Sequence, residues 1–171
     1  MSENLQNPAE EKKVKAPKHH PIRMQKTAAH LEGAAALEKL CFSSPWSAKS
    51  LELLTNDGIG VGYLCTLPAA PNAEPAVAAY GGMLITVDEG QITNIAVHPD
   101  YRRRGLGAAI LRALLRHAKD ARLESVSLEV RASNTAAIQM YRSAGFVEMG
   151  RRKGFYQKPT EDALVMVCRI K

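Results

Sequence analysis

Cysteine is scarce in this chain of 171 residues: Cys41, Cys65 and Cys168 are the only three. An odd count without metal-type spacing excludes a disulfide-stapled secreted scaffold and a zinc module. The five histidines (His19, His20, His30, His98, His117) add no Cys/His cluster, so no metal is expected. Long apolar runs are missing too. The longest weakly charged stretch, Gly58 to Val87, is broken by Pro68, Pro71, Glu74 and Pro75, so nothing approaches the ~20 residues that span a bilayer. The N-terminus lacks the apolar segment of a secretory signal. Aromatic residues make up 5 % of the chain and do not interleave its arginine clusters, which argues against a stacking platform for single-stranded nucleic acid. The expectation is a cytoplasmic enzyme or binding domain.

The length fits one domain, since domains run roughly 100–200 residues. A chain of this size buries about 70 % of its unfolded surface and needs no staple. Lysine and arginine total 23 against 17 acids, a net charge of +6. Such a balance suits an anionic cofactor, a nucleic acid or an acidic surface. Residues 1–22 read as a disordered tail: Lys12, Lys13, Lys15 and Lys18 nearly cancel Glu3, Glu10 and Glu11, and little is apolar. Residues 23–171 form the expected domain.

Helical spacing of Ala29, Ala35, Ala36, Leu37 and Leu40 predicts a helix over Lys26 to Leu40. A short helix follows from Ser47 to Leu54. Asn56-Asp57-Gly58 marks a turn, and Ile59 to Leu67, Ala76 to Ile85 and Gln91 to Val97 read as antiparallel strands joined by hairpins. Then the rhythm changes. In Arg104 to Asp120, Ala108, Leu111, Leu114, Leu115 and Ala118 make one apolar stripe opposite Arg112, Arg116 and Lys119. Ser125 to Val130 alternates as a strand, with Ser127, Glu129 and Arg131 on its polar side. Ser133 to Ala144 is a helix with Ser133 as N-cap and Gly145 after its end. Phe146 to Met149 and Ala163 to Ile170 are further strands. The strand–helix–strand unit from Gln91 to Val130 requires parallel strands. The fold expected is α+β, with a mixed sheet of six or seven strands and about four helices.

The most informative segment runs Val97-His98-Pro99-Asp100-Tyr101-Arg102-Arg103-Arg104-Gly105-Leu106-Gly107-Ala108, between a strand and an amphipathic helix. A helix start carries unpartnered N–H groups and partial positive charge, and phosphates bind there. Gly105 and Gly107 let an anion approach the backbone, and three arginines add fixed charge. A bland basic turn would have little use for two glycines, which are poor helix formers. A Walker loop is absent, and a dinucleotide fingerprint fails at Ile110, where a third glycine would stand.

Arg102-x-x-Gly105-x-Gly107 resembles the acetyl-CoA-binding motif of the GNAT acetyltransferases. Asn94-Ile95-Ala96-Val97-His98-Pro99 followed by Leu128-Glu129-Val130-Arg131-Ala132-Ser133-Asn134 resembles the RimI-like branch, the ribosomal-protein-alanine N-acetyltransferases. Ala136-Ala137-Ile138, Tyr141, Gly145-Phe146, Tyr156, Glu161-Asp162-Ala163 ahead of Met166, and the early Pro45-Trp46-Ser47 fit as well. The likeness is dense from Gln91 onward and thinner before it. It implies two splayed central parallel strands with acetyl-CoA between them. The pantetheine arm would pair with the backbone of Ile95, Ala96 and Val97, and the pyrophosphate would meet the N–H groups of Arg103 to Ala108 beside Arg102. It implies Glu129 as general base, acting through water, and Tyr141 as the acid that protonates the departing thiolate. Asn134 would bind the pantetheine amides, unless it merely caps its helix. Trp46 and Tyr156 would flank the acceptor, and Glu161 and Asp162 would attract a basic substrate tail. The shorter Lys158-Pro159-Thr160 loop and the extra tail depart from the family pattern.

The implied activity is acetylation of the α-amino group of a protein, an N-terminal alanine of a small-subunit ribosomal protein, by a monomer or weak dimer. Two rivals stand beside it. A GNAT enzyme acting on lysine side chains or a small amine would share the whole cradle. A basic ribosome- or RNA-binding module would use Arg102 to Arg104 and Arg151 to Lys153 without turnover.

Overall fold

A computed structural model of the chain describes residues 20–68 and 75–170. One seven-stranded sheet runs β1-β2-β3-β4-β5-β7-β6. Its members are β1 (Ile22–Arg23), β2 (Gly60–Thr66), β3 (Val77–Thr86), β4 (Glu89–Val97), β5 (Ser125–Arg131), β6 (Val147–Tyr156) and β7 (Glu161–Arg169). The helices are α1 (Ala28–Cys41), α2 (Ala48–Leu51), α3 (Leu106–Asp120) and α4 (Thr135–Ser143). Pairing is antiparallel throughout except between β4 and β5, the two strands that α3 connects. Among the described residues, no helix is long and apolar enough to cross a membrane.

Side-chain alternation divides the core into two layers. Leu64, Tyr80 and Ala96 face α1 and α2, and meet Leu31, Ala34, Ala35, Leu37, Leu51 and Leu54 there. Val61, Cys65, Ala79, Met83, Val126, Leu128 and Val130 face the other way, onto Leu106, Ile110, Leu111, Leu114 and Ala118 of α3 and Ile138 and Tyr141 of α4. The period-2 pattern of β5 therefore fixes Ser127, Glu129 and Arg131 on the α1 side of the sheet.

β4 and β5 pair only over Glu89–Gln91 with Ser125–Ser127 and then separate. A bulge helps them do so. The β3–β4 register jumps between Gly82 and Met83, leaving Thr93 unpaired, and a bulge adds local twist that re-aims its strand. Beyond Gln91, β4 keeps β3 as its partner on one side and opens a gap toward β5 on the other.

Several boundaries differ from those the sequence suggests. Ile22 pairs with Leu64, so the last residue assigned to the tail belongs to the sheet. The rest of that tail, residues 1–19, and most of the Pro68 to Pro75 loop (69–74) lie outside the described residues. In α1 the buried stripe is Leu31, Ala34, Ala35, Leu37 and Glu38, whereas Ala36 and Leu40 are exposed. Asn134, not Ser133, caps α4: its side chain accepts from Ala137 N–H. β6 is far longer than Phe146 to Met149, because its polar residues lie along an exposed outer strand.

Candidate active site

The sheet's parallel pair opens onto an unfinished helix start. After β4 the chain makes a short 3-10 turn, Pro99–Tyr101, and reaches α3 through Arg103 at φ +63° and Gly105 at φ +80°. The left-handed conformation at Gly105 suits a residue without Cβ, and a Cβ built there meets no atom within 4 Å. Gly105 caps α3 without a side-chain bond. The backbone N–H groups of Arg103 to Ala108 donate to no other backbone group or side chain among the described residues. A run of free donors at the positive end of a helix is a phosphate-sized cradle. Gly107 differs. A Cβ there would sit at ordinary contact distance, 3.4 Å from Met140 Sδ and 3.6 Å from Val97, so packing does not demand a glycine at this position.

The three arginines do not act alike. Arg102 Nε donates to Val97 C=O at 3.2 Å, which ties the loop back onto the strand end. Arg104 bonds Asp100 C=O and lies over the Tyr101 ring. Arg103 forms no ion pair with a described acid. Just past the end of β4, His98 N–H donates to Ala78 C=O. Antiparallel alternation then spends the backbone groups of Ala96 on Tyr80 and turns those of Ile95 and Val97 toward the gap. Of the three strand residues expected to pair with a pantetheine arm, Ile95 and Val97 offer that edge and Ala96 does not. The Val97 C=O already accepts from Arg102 and from the Cys41 thiol.

On the α1 face of the same gap lies a cavity of about 650 Å³. Its floor carries Gln91, Asn94, Glu129 and Arg131, and Trp46 and Tyr156 stand at its sides. Glu129 is held by Arg152 at 2.9 Å and by Gln91 Nε2 at 3.3 Å; it does not pair with Arg131, its strand neighbour. Arg131 instead organises the β6–β7 turn. It bonds Gln157 C=O, Pro159 C=O and Glu161, and stacks on the Tyr156 ring at 4.4 Å. The sequence therefore brings Trp46, Glu129 and Tyr156 to one place, across three elements far apart in the chain.

Tyr141 lies behind this floor, buried in α4 with its ring 5.7 Å from Phe146. Burial pushes its phenol well above the ordinary range, and Tyr156 adds to the effect. The group is protonated at any physiological pH. A raised phenol also widens the gap to a thiol, so complete proton transfer costs about 1.4 kcal/mol for each unit of separation. Asn134 Oδ1 accepts the helix-cap bond from Ala137 N–H, and its amide N–H₂ forms no bond among the described residues and is open to a ligand. Glu161 is not a free acid: it accepts from Ser133 N–H at 2.6 Å and from Arg131, and these bonds hold its carboxyl below the usual range. Asp162 accepts from Gly154 N–H and pairs with Arg151. Both acids hold the hairpin together, which weakens the expectation that they recruit a basic tail.

Composition and motifs pass over a buried carboxylate. Glu38 is fully enclosed and accepts from Tyr80 O–H, from Asn94 Nδ2 at 2.7 Å and from Trp46 N–H at 2.8 Å. Its spacing, seven residues after Leu31 and four after Ala34 on the buried stripe of α1, was the available signal. Among the described residues, no group of three or more His, Cys, Asp or Glu is arranged to hold a metal.

Residues 31–146 match the acetyltransferase (GNAT) family, more than half of the chain. The chain belongs to the GNAT acetyltransferases. A GNAT relative in Escherichia coli K12, the [ribosomal protein bS18]-alanine N-acetyltransferase, is 37 % identical over 144 residues, covering 82 % of this chain and 91 % of that protein. The crystal structure of the E. coli ribosomal-protein-S18-alanine N-acetyltransferase superposes with a TM-score of 0.75 at 31 % identity, over 88 % of this chain and 94 % of that one. Arabidopsis thaliana NAA60 in complex with acetyl-CoA shares the GNAT fold, with a TM-score of 0.75 at 18 % identity over 88 % and 97 % of the two chains. The mixed seven-stranded sheet with four helices is the GNAT architecture the motifs implied.

Proposed function

We propose that this GNAT protein is an acetyl-CoA-dependent N-acetyltransferase acting on the α-amino group of a protein, with an N-terminal alanine of a ribosomal protein as acceptor. The observation that carries the reading is the pairing of two half-sites across one gap. The cradle of free N–H groups at Arg103 to Ala108 lies on one side, and the cavity floored by Glu129 lies on the other. The relatives named for the α-amine of alanine supply the choice of acceptor.

Acetyl-CoA fits the residues present. Free backbone donors, Arg103 and the open space beside Gly105 suit a pyrophosphate, and the free edge of Ile95 and Val97 suits an amide-bearing arm. Once bound, the thioester supplies an acyl group already activated for attack by an amine. What remains falls to the protein. An α-ammonium has a pKa near 8, so only about a tenth is free amine at pH 7. Glu129 takes up the proton through water, and Arg152 and Gln91 fix its carboxylate while it does. The N–H groups turned into the gap at Ile95 and Val97 stabilise negative charge on the carbonyl oxygen. Tyr141, protonated and desolvated, donates a hydrogen bond to the departing sulfur. The three cysteines take no covalent part: Cys65 and Cys168 are buried, with their thiols pushed up by burial, and Cys41 donates to a carbonyl.

The test pairs an Ala-Arg peptide with an N-terminally blocked peptide containing lysine. CoA release with a 42-Da gain (about one acetyl group) on the free α-amine alone supports the reading. Acetylation of the lysine peptide alone rejects it.

A further inference from the structure

Asn94 lies in β4, one residue before the strand edge that faces the gap, and lines the acceptor cavity. Its Nδ2 donates to the buried carboxylate of Glu38. A carboxylate oxygen only accepts, so the amide's N–H₂ end is the one that faces Glu38, and its oxygen is turned to the opposite side. That oxygen accepts no hydrogen bond among the described residues. It is also not an enclosed orphan, since no buried side-chain oxygen or nitrogen among the described residues lacks a partner. Asn94 Oδ1 is therefore an open acceptor on the cavity floor, in an orientation dictated from behind. The same Glu38 holds Trp46 N–H, so one carboxylate sets both the floor and one side of the cavity.

We infer that Asn94 Oδ1 receives the first peptide N–H of the acceptor, making Asn94 a specificity-determining residue and Glu38 the positioning residue that orients it. The inference rests on the α-amine reading above and extends it. The attacking amine shares its own hydrogens with the base and the thioester. The next donor along a peptide is the N–H of residue two, three bonds from the α-nitrogen. A lysine ε-amine is followed by four methylenes and offers no donor there. An acceptor fixed at Asn94 would thus favour α-amines over lysine side chains by a hydrogen bond the wrong amine cannot make. It would leave the polar floor unpaired when that amine binds.

The experiment uses the full chain, acetyl-CoA, an Ala-Arg peptide, and the same peptide N-methylated at residue two. Wild type should lose about tenfold in kcat/KM on N-methylation, the size of one hydrogen bond. Asn94→Ala should show a peptide KM about tenfold higher, an unchanged KM for acetyl-CoA, and no further loss on N-methylation. Glu38 keeps Tyr80 and Trp46 as donors in that variant, so folding should survive. Glu38→Gln should lose the same sensitivity to N-methylation, and the Glu38→Gln/Asn94→Ala double variant should be no worse than Asn94→Ala. If Glu38→Gln does not fold, Asn94→Ala with the two peptides decides alone. A penalty for N-methylation as large in Asn94→Ala as in wild type overturns the inference, and so does a fall in kcat with unchanged peptide KM. A wild type that acetylates the unmethylated peptide in either case keeps the α-amine reading intact. A wild type that ignores that peptide removes both.

Discussion

Replacing Gly105 and Gly107 in turn by alanine should separate two reasons for having glycine in the cradle. Gly105 has φ +80° and nothing within 4 Å of a would-be Cβ, so alanine there meets no clash but must hold a left-handed conformation. That costs about 1–2 kcal/mol. For a chain of this length each kcal/mol moves Tm by about 2–4 °C, so Gly105→Ala should melt about 2–8 °C lower. Relief of the strain would rotate the free N–H groups of Leu106 and Gly107 away from a common target, so CoA affinity should fall about tenfold or more. Gly107 lies in the first turn of α3 with ordinary φ, and an added Cβ comes no nearer than ordinary contact, closest to the flexible end of Met140 at 3.4 Å. Alanine is the better helix former by up to about 1 kcal/mol, so Gly107→Ala should melt at the wild-type temperature or slightly above. Its CoA affinity should stay within about threefold. Differential scanning calorimetry and titration calorimetry with CoA measure both quantities. Equal melting temperatures for the two variants would refute the conformational argument. A destabilised Gly105→Ala that binds CoA as wild type does would refute the cradle.

Glu129→Gln keeps the shape of the floor and its bond to Gln91 but removes the base; kcat should drop about 10²–10⁴-fold at pH 7 with little change in the KM of acetyl-CoA, read by CoA release. Tyr141→Phe removes one oxygen from a buried ring; Tm should change little, kcat should fall at least about tenfold, and an unchanged kcat would discharge Tyr141 from the reaction. Because burial raises the phenols of Tyr141 and Tyr80 above their ordinary value near 10, their contribution to stability is complete below about pH 10 and lost as pH rises beyond it. Denaturant melts of wild type and Tyr141→Phe should therefore lie close together at pH 9 and separate toward pH 11, with the wild type losing stability faster, and parallel curves would contradict the assignment. Glu161 has a depressed carboxyl, so its contribution is present above pH 4.5 and lost as pH falls below it. Glu161→Gln, which also frees Arg131 and Ser133 N–H, should raise the peptide KM more than that of acetyl-CoA.

Much of this architecture is legible in the residues, for identifiable reasons. α3 and β5 carry strong periodic patterns: β5 alternates as expected, and in α3 Leu111, Leu114 and Ala118 of the expected stripe are buried, joined by Leu106 and Ile110, while Ala108 and Leu115 are only partly covered. The helix start after Tyr101 is read from composition alone, because few other uses exist for arginines and glycines at a strand-to-helix junction. β6 is misjudged where a pattern is missing: an outer strand exposed on both faces, with Arg151, Arg152 and Lys153 in its middle, shows no period. Ile22 and Arg23 are too short a strand to stand out from the polar residues before them. The acceptor half of the site is the least legible. Apart from the Glu38–Trp46 bond, which spans eight residues, Glu38, Gln91, Asn94 and Arg152 act through partners 23 to 56 residues away, and no local spacing encodes those pairings. A charged residue on a buried helical stripe is a pointer that something must satisfy it, but not to what.

Whether the cradle and the cavity serve one transfer to an α-amine is decided by incubating the protein with acetyl-CoA and an Ala-Arg peptide and locating the acetyl group by tandem mass spectrometry, with Glu129→Gln alongside. Modification should fall at the α-nitrogen alone, with stoichiometric CoA release and a rate at least about 10²-fold lower in the variant. Acetylation on a lysine side chain, or transfer that Glu129→Gln leaves untouched, would contradict that joint role.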